Sequence, residues 1–486
     1  MMVRAERAVR LAASALAGVV AGCVSPPDAA RDRPLPLPPA LAAEKRPADG
    51  RTRPPAPPTG VVPAAAAVPA PPAAPDVFGS EEAVRFALQN NPMLQAVREQ
   101  RGFAQGGMVI ARTYPYNPVS QFQFFGVTGD GVTNRLSQAH KITMDVELRG
   151  QRQFRQQAAY AVLTRTEWEI ATQEIAVSVA ANRAFNGVLY RQRKLDVLED
   201  TVKYNEGVID QVKKLVDLGR LRSADLIVAR TELDAARAQM GQGRAALAVA
   251  RADLRRQFGT FDDSFAVKGD LDVPVPTTEF EVYSAAAVEK RPDLQARKIA
   301  VAEAQARLRL QEADRYGNLN VGPAFDYNES RNGFIGVQVG GPLPVFNRRR
   351  GEILQAQATL ARAQADVRQF EIQSVQDVQA ALARLAAARK WADSYTAEVL
   401  PNLRKAVEDT NKLFEQNDPG VDVLKVIGVQ RNYLRAFDAY LDALFELSQA
   451  RVDLAAAVGD PALALGLYAP PVKPMPVPNP PKKDQP

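Results

Sequence analysis

The residue types in this sequence that could do chemistry are few: one histidine (His140), one cysteine (Cys23), scattered carboxylates and a run of three arginines, Arg348-Arg349-Arg350. A transition metal needs several imidazole, thiolate or carboxylate ligands gathered at one place, and a lone histidine does not provide them. Nucleophilic catalysis needs a base held by a third group, and His140 has no evident partner. The segment "GGPLPVFNRRRG" (340–351) is glycine-rich but lacks the Gly-Lys-Ser/Thr of a phosphate-binding loop. Aspartates and glutamates alternate with lysines and arginines at helical spacing, the pattern of solvated faces with i,i+4 pairs. Charged residues make up 24% of the chain and the net charge is +6, with no basic cluster interleaved with aromatics. These features exclude a nucleic-acid binder and point away from an enzyme, a cofactor site or a resident metal.

Cys23 has a different context. Arg4, Arg7 and Arg10 precede an apolar stretch from Leu11 to Ala21, too short to span a bilayer. The stretch ends in Val20-Ala21-Gly22-Cys23, which resembles the bacterial lipobox, so Cys23 is expected to become the lipidated first residue of the mature protein. Val24 follows it where a sorting aspartate would retain a lipoprotein at the inner membrane. By that analogy the destination is the outer membrane of a Gram-negative cell. One acyl chain anchors only marginally, so the chain needs a second membrane contact.

What, then, positions so little chemistry? "NPMLQA" (91–96) returns as "RPDLQA" (291–296), and "ARADLRRQFG" ending at Gly259 returns as "ARVDLAAAVG" ending at Gly459, both at an offset of 200. The body of the chain is therefore one unit used twice. Each copy opens with a helix; Ser80 is the expected N-cap in the first, and the second is expected to start near Ser284. Each then changes to period-2 alternation. "VSQFQFFGV" (119–127) and "KITMDVEL" (141–148) form one predicted hairpin, "NLNVGPAFDY" (318–327) and "GFIGVQV" (333–339) the other. In the first, Ile142, Met144, Val146 and Leu148 share one face and Lys141, Thr143, Asp145 and Glu147 the other. Long helical tracts follow, ending in the turns "LGRLRS" (218–223) and "QNDPGVD" (416–422), after which a helix returns to Gly259 or Gly459. The tract over 352–400 reads as free of breakers. Gly106-Gly107 weakens the first copy's opening helix for no reason visible in the sequence.

The predicted fold class is mainly α with one β-hairpin in each of two repeats. Four strands cannot close on themselves, and open edges are not tolerated in hydrocarbon. Three copies would supply twelve strands, enough for a channel, with Ile142, Met144, Val146 and Leu148 toward lipid and the polar residues toward a wet lumen. The predicted division is 1–22 signal peptide, 23–78 Pro/Ala-rich spacer with sixteen prolines over 24–76, 79–265 first repeat with its hairpin at about 118–148, 266–280 linker, 281–465 second repeat with its hairpin at about 318–346, and 466–486 Pro-rich tail.

The duplicated order of helix, "NP.LQA", hairpin, long helix, tight turn and return helix resembles the TolC family of outer-membrane efflux proteins over about residues 79–465. "GGPLPVFNRRRG" resembles the end of the fourth strand in its CzcC-like, heavy-metal branch. The resemblance implies a homotrimer with a transmembrane β-barrel and a long α-helical barrel. It implies a passive conduit docked to a periplasmic adaptor protein and an inner-membrane pump of the RND type, in contact with outer-membrane lipid. It also implies adaptor docking at the helical tips, here Gly219, Arg220, Leu221, Ser223, Gly420 and Val421, with both glycines ending helices and the neighbouring side chains brought to the surface. Three chains converging there would gather Glu415, Asp418 and Asp422 into an acidic gate that attracts cations. The competing readings are a non-transporting periplasmic coiled-coil tether and, within the family, a conduit for drugs or secreted protein. Two hairpins at matching places have no use in a tether.

If Cys23 carries the lipid, Cys23→Ala abolishes incorporation of a fatty-acid analogue and perturbs precursor processing, while part of the protein still reaches the outer membrane. Persistent labelling of the variant would sink the assignment.

Overall fold

The computed structural model describes residues 77–129, 132–219, 221–272, 279–328, 332–416, 420–421 and 423–465. The leader, Cys23, the spacer and the Pro-rich tail lie outside the described residues, as do both hairpin apices. The first repeat runs β1 (Val77–Phe78), α1 (Ser80–Asn90), α2 (Pro92–Arg98), α3 (Gln100–Arg112), β2 (Val119–Gly129), β3 (Val132–Val146), α4 (Gln151–Asp217) and α5 (Ser223–Phe258). The second runs β4 (Ala266–Val267), α6 (Phe280–Lys290), α7 (Pro292–Ala313), β5 (Leu319–Tyr327), β6 (Gly333–Gly340), α8 (Arg350–Ser394), a π-helical turn (Tyr395–Val399), α9 (Leu400–Glu415), α10 (Val423–Val458) and α11 (Ala462–Leu465).

The helices form where the periodicity places them, with local departures. Gly79, not Ser80, precedes the first helical turn of α1, and its N–H donates to the Glu82 carboxylate at 3.0 Å. The counterpart α6 begins at Phe280, so Ser284 lies inside it. Pro92 and Pro292 each occupy the first position of a helix, where a missing N–H costs nothing. Gly106-Gly107 does not break α3, and a Cβ at either position would meet nothing within 4 Å. At 67 residues, α4 is uninterrupted and about 100 Å long by the α-helical rise. Its counterpart is not: a π-helical turn precedes Pro401, whose ring denies α-helical pairing to the preceding turn.

The described residues divide into two compact units. One comprises Gln100–Glu167 and Ala296–Val367. It holds an antiparallel sheet of order β2-β3-β5-β6, so the two predicted hairpins join into one sheet through β3 and β5. β3 is longer than its predicted stretch, running from Val132. The β3–β5 approach is close at Gly322, where an added Cβ would lie 1.8 Å from the Ile142 carbonyl oxygen. Below the strands in sequence, Arg101 forms a two-point pair with Glu167 (2.7 and 2.9 Å), and Glu303 takes Arg165 (2.9 Å) and Arg307 (2.6 Å).

The other unit takes in residues 77–99, 168–295 and 368–465 of those described. β1 and β4 pair in parallel, Val77 with Ala266 and Phe78 with Val267. Around them Phe78, Phe86, Phe258 and Phe265 stack with ring centroids 4.7–5.6 Å apart. The rest of this core is mostly alanine, valine and leucine, including Ala181, Val188, Ala443, Ala450, Leu454 and Ala455. Both sequence repeats meet in it. Gly259 ends α5 in the left-handed region (φ 66°) against Pro92, and Gly459 (φ 78°) sits against Arg291 and Pro292. Asn91 ties the first contact down: its Oδ1 accepts from Leu94 N–H at 3.1 Å, and its Nδ2 donates to the Gln257 carbonyl at 3.0 Å.

An alanine in the left-handed region costs about 1 kcal/mol. Gly219 has φ 70° with nothing near its Cβ, whereas a Cβ at Gly459 would lie 3.1 Å from Arg291 Cα, and one at Gly259 2.6 Å from Pro92 and 2.8 Å from the Asn90 carbonyl oxygen. Thermal unfolding should therefore rank Gly219→Ala as least damaging, Gly459→Ala next and Gly259→Ala worst, the last by about 1–3 kcal/mol more than the first. Equal losses for all three would dismiss the contact as a determinant.

Candidate functional site

Strand register assigns every described sheet side chain to a face. One row crosses all four strands as Phe122, His140, Phe325 and Ile335, and another as Met144, Val321 and Val339. With Ile142, Val146 and Val337 these form an apolar face, and Ile335, Val337 and Val339 are all exposed on it. His140 belongs to this face, its ring 4.8 Å from Phe122, 6.0 Å from Phe124 and 6.1 Å from Phe325. The opposite face carries Gln121, Lys141 and Ala324 in one row and Asp145 beside Asn320 in another, the Asn320 amide donating to Asp145 at 2.9 Å. Period-2 reading thus placed Ile142, Met144 and Val146 together, and Lys141, Thr143 and Asp145 against them. Thr143 is buried all the same, because the backbone of β5 presses on it at Gly322.

Two residues at the end of the alternation behave differently. β3 ends at Val146, so Glu147 and Leu148 belong to neither face. Glu147 turns to α4, where Arg155 binds its carboxylate at 2.7 Å, and its N–H donates to the Tyr114 hydroxyl at 3.2 Å. That same hydroxyl donates to the Asp145 carbonyl at 2.5 Å. The ion pair outweighs the alternation because a long charged side chain next to a helix start has a fixed partner there. Leu148 is exposed beyond the strand.

At the tips the second unit brings the two helical hairpins together. Gly219 ends α4, its N–H donating to Val216 O at 2.9 Å, while Leu221 N–H reaches Leu215 O at 3.3 Å. Leu221 is half-buried. It packs with Leu226 and Phe414 on a cluster of Val208, Val212, Ala229 and Ile427, drawn from both hairpins. Ser223 opens α5 and is exposed; Gly420 is exposed and accepts from Lys425 Nζ at 3.2 Å, and Val421 is half-buried. Glu415 is the last residue of α9. Arg220, Asp418 and Asp422 lie outside the described residues, so the expected acidic ring does too.

Farther along the same unit, Lys194 sits between Asp438 (3.0 Å) and Asp442 (2.8 Å), with Tyr190 hydrogen-bonded to Asp442 and stacked on Phe445 at 4.4 Å. Burial opposes the Lys194 charge, but the bonds to Asp442, Tyr190 and Asp438 hold its ammonium above the usual lysine range. Arg183 and Arg384 share Asp453, and Arg384 also binds Glu446 at 2.7 Å. Lys194 and its aspartates were not singled out in the sequence; they lie about 245 positions apart, the Lys194–Asp438 separation being 244. Among the described residues no group of three or more His, Cys, Asp or Glu side chains is placed to hold a metal ion, and no helix is long and apolar enough to cross a membrane.

Comparison with known proteins gives one consistent result. Residues 284–460 match the family model described as outer membrane efflux protein. The cobalt-zinc-cadmium resistance protein CzcC of Cupriavidus metallidurans is 24% identical over 374 residues, covering 76% of this chain and 87% of that protein. Among solved structures, CusC, described with its transmembrane channel formation, superposes with a TM-score of 0.66 at 16% identity over 78% of this chain and 92% of that one. The open state of the MtrE outer membrane channel of Neisseria gonorrhoeae gives 0.64 at 16% identity over 80% and 89%. Duplicated helical hairpins and a two-faced four-stranded sheet thus accompany one shared fold: the chain is built like these solved outer membrane channels, and its residues 284–460 match the outer membrane efflux protein family.

Proposed function

We propose that this protein is the outer-membrane channel of a tripartite efflux system, a passive homotrimeric conduit that carries heavy-metal cations to the exterior. The observation that carries the reading is a four-stranded sheet with one apolar face, one polar face and outer strands β2 and β6 that, among the described residues, are each paired on one side only. Such a sheet is stable in hydrocarbon only when its edges are paired, and pairing β2 of one copy with β6 of the next closes twelve strands from three chains. Ile142, Met144 and Val146 then meet lipid, and Gln121, Lys141 and Asp145 line the lumen. Cations as cargo are supported by the likeness to a cobalt-zinc-cadmium resistance protein.

The chain's own residues bind no metal in this scheme; they supply a path. An inner-membrane pump would select and energise, and a periplasmic adaptor would dock at the tips, on Gly219, Arg220, Leu221, Ser223, Gly420 and Val421. Leu221 would act there through the apolar cluster that holds the two hairpins together. Glu415, Asp418 and Asp422 from three chains would ring the axis, drawing cations in while their mutual repulsion favours opening once the adaptor docks.

In planar bilayers the purified trimer should form cation-selective channels, and neutralising Glu415, Asp418 and Asp422 together should lower that selectivity. A deletion strain should lose tolerance to cobalt, zinc and cadmium. A well-assembled trimer that never conducts would favour the tether, and a deletion that sensitises cells to drugs alone would change the cargo.

The sheet faces have their own test. Val146 ends its strand, where an arginine costs only about 0–1 kcal/mol, whereas a lipid-facing midplane site costs about 2–4 kcal/mol. Val337 lies mid-strand on the exposed apolar face, with Gln338 beside it on the other. Val337→Arg should cut trimer yield in outer-membrane extracts well below that of Gln338→Arg. Equal yields would argue against the register.

A further inference from the structure

The segment joining β6 to α8 is held at both ends and bare in the middle. At one end Pro342 packs on Gly317, whose added Cβ would lie 2.3 Å from the proline ring. At the other, Arg349 reaches back to Asp314 at 3.3 Å and to Gln311 at 3.5 Å, while its N–H donates to Asn347 Oδ1 at 2.9 Å. Between these pins Leu343 is 84% and Phe346 100% exposed, with Val345 exposed between them. They continue in sequence from the exposed Ile335, Val337 and Val339 of β6. Leu343 and Phe346 border an open cleft of about 560 Å³, walled in part by Tyr116 and Tyr316.

The arginine run is divided by backbone geometry. Arg349 has φ 51°, the one left-handed non-glycine among the described residues. Just before the long helix of the first repeat, the equivalent place is Gly150 at φ 72°. An arginine there costs conformational energy that glycine does not, and the Asp314 and Gln311 contacts offset it. The turn sends Arg349 inward and leaves Arg348 and Arg350 exposed, with no carboxylate partner among the described residues. The first repeat has no such free pair. Its Arg149 lies over the Tyr316 ring at 3.8 Å, and Arg152 donates to the Arg112 carbonyl at 3.1 Å.

We propose that residues 343–350 form a binding site for an anionic phospholipid of the leaflet facing the long helices, with Leu343, Val345 and Phe346 in the acyl boundary and Arg348 and Arg350 on the headgroup phosphate. Two unpaired guanidiniums suit a phosphodiester, which accepts paired N–H donors. The apolar residues beside them exclude a soluble phosphate as the fitting occupant, and the pinned ends present the site preformed. The inference rests on reading the sheet as a membrane barrel.

Tryptophan fluorescence of the full-length trimer in vesicles tests it, using brominated phosphatidylglycerol or brominated phosphatidylcholine as quencher and the parent protein as baseline. Fluorescence from the Phe346→Trp protein should be quenched, with half-quenching at about 25-fold less of the anionic lipid, given about fivefold for each of the two arginines near an anionic surface. Adding Arg348→Gln and Arg350→Gln should erase the preference. Equal quenching by the two lipids, or a preference that survives both glutamines, overturns the site. A Val337→Trp protein separates the two readings. If it is quenched and Phe346→Trp is not, the headgroup site fails while the barrel stands; if neither is quenched, both fail.

Discussion

A left-handed glycine laid against a helix-opening proline closes each half of this molecule. In the first repeat the chain leaves Asn91, runs through a hairpin and two long helices, and comes back at Gln257, 166 positions later, to a bond from the same asparagine. Gly259 can approach Pro92 because it has no side chain, and its positive φ turns the chain away from the helix axis at that point. Gly459 does the same against Pro292. Closing so long an excursion carries a large entropic cost, which one contact does not offset. The phenylalanine cluster around Phe78 and Phe258 and the buried alanines and leucines of α10 supply the burial that does.

With both repeats closed in the same way, their differences stand out as local substitutions in a common frame. α4 is continuous, while its counterpart carries a π-helical turn before Pro401. Asn91 caps its helix directly, whereas Arg291 occupies the matching place and pairs with Asp293 at 3.0 Å and Asp377 at 2.9 Å. Gly150 is answered by Arg349. Each departure falls at a helix end or inside a long helix, where the frame tolerates change. The proposed conduit rests on what the repeats share, and the proposed lipid contact on what the second repeat has altered.

The sheet is incomplete by construction. Its register gives two chemically opposite faces, and its outer strands carry unpaired backbone groups among the described residues. In water such edges invite aggregation, and in hydrocarbon they are untenable. Assembly is therefore a condition of placing this chain in a membrane, and within the sheet Gly322 lets β3 and β5 approach closely.

Much of this was written in the sequence. The offset of 200, the change from helical to period-2 alternation and the NP and RP dipeptides are local or repeated patterns, and they fixed the element order and the sheet faces for Ile142, Met144, Val146, Lys141 and Asp145. What the sequence left open involves partners far apart along the chain. Glu147 leaves the alternation for Arg155, Leu221 lies half-buried against a cluster that includes Ile427, and Lys194 finds Asp438. The joining of two hairpins into one sheet and the meeting of Gly259 with Pro92 are of the same kind. Periodicity reports which way a side chain points from its own backbone, and only the packed chain decides what stands opposite it.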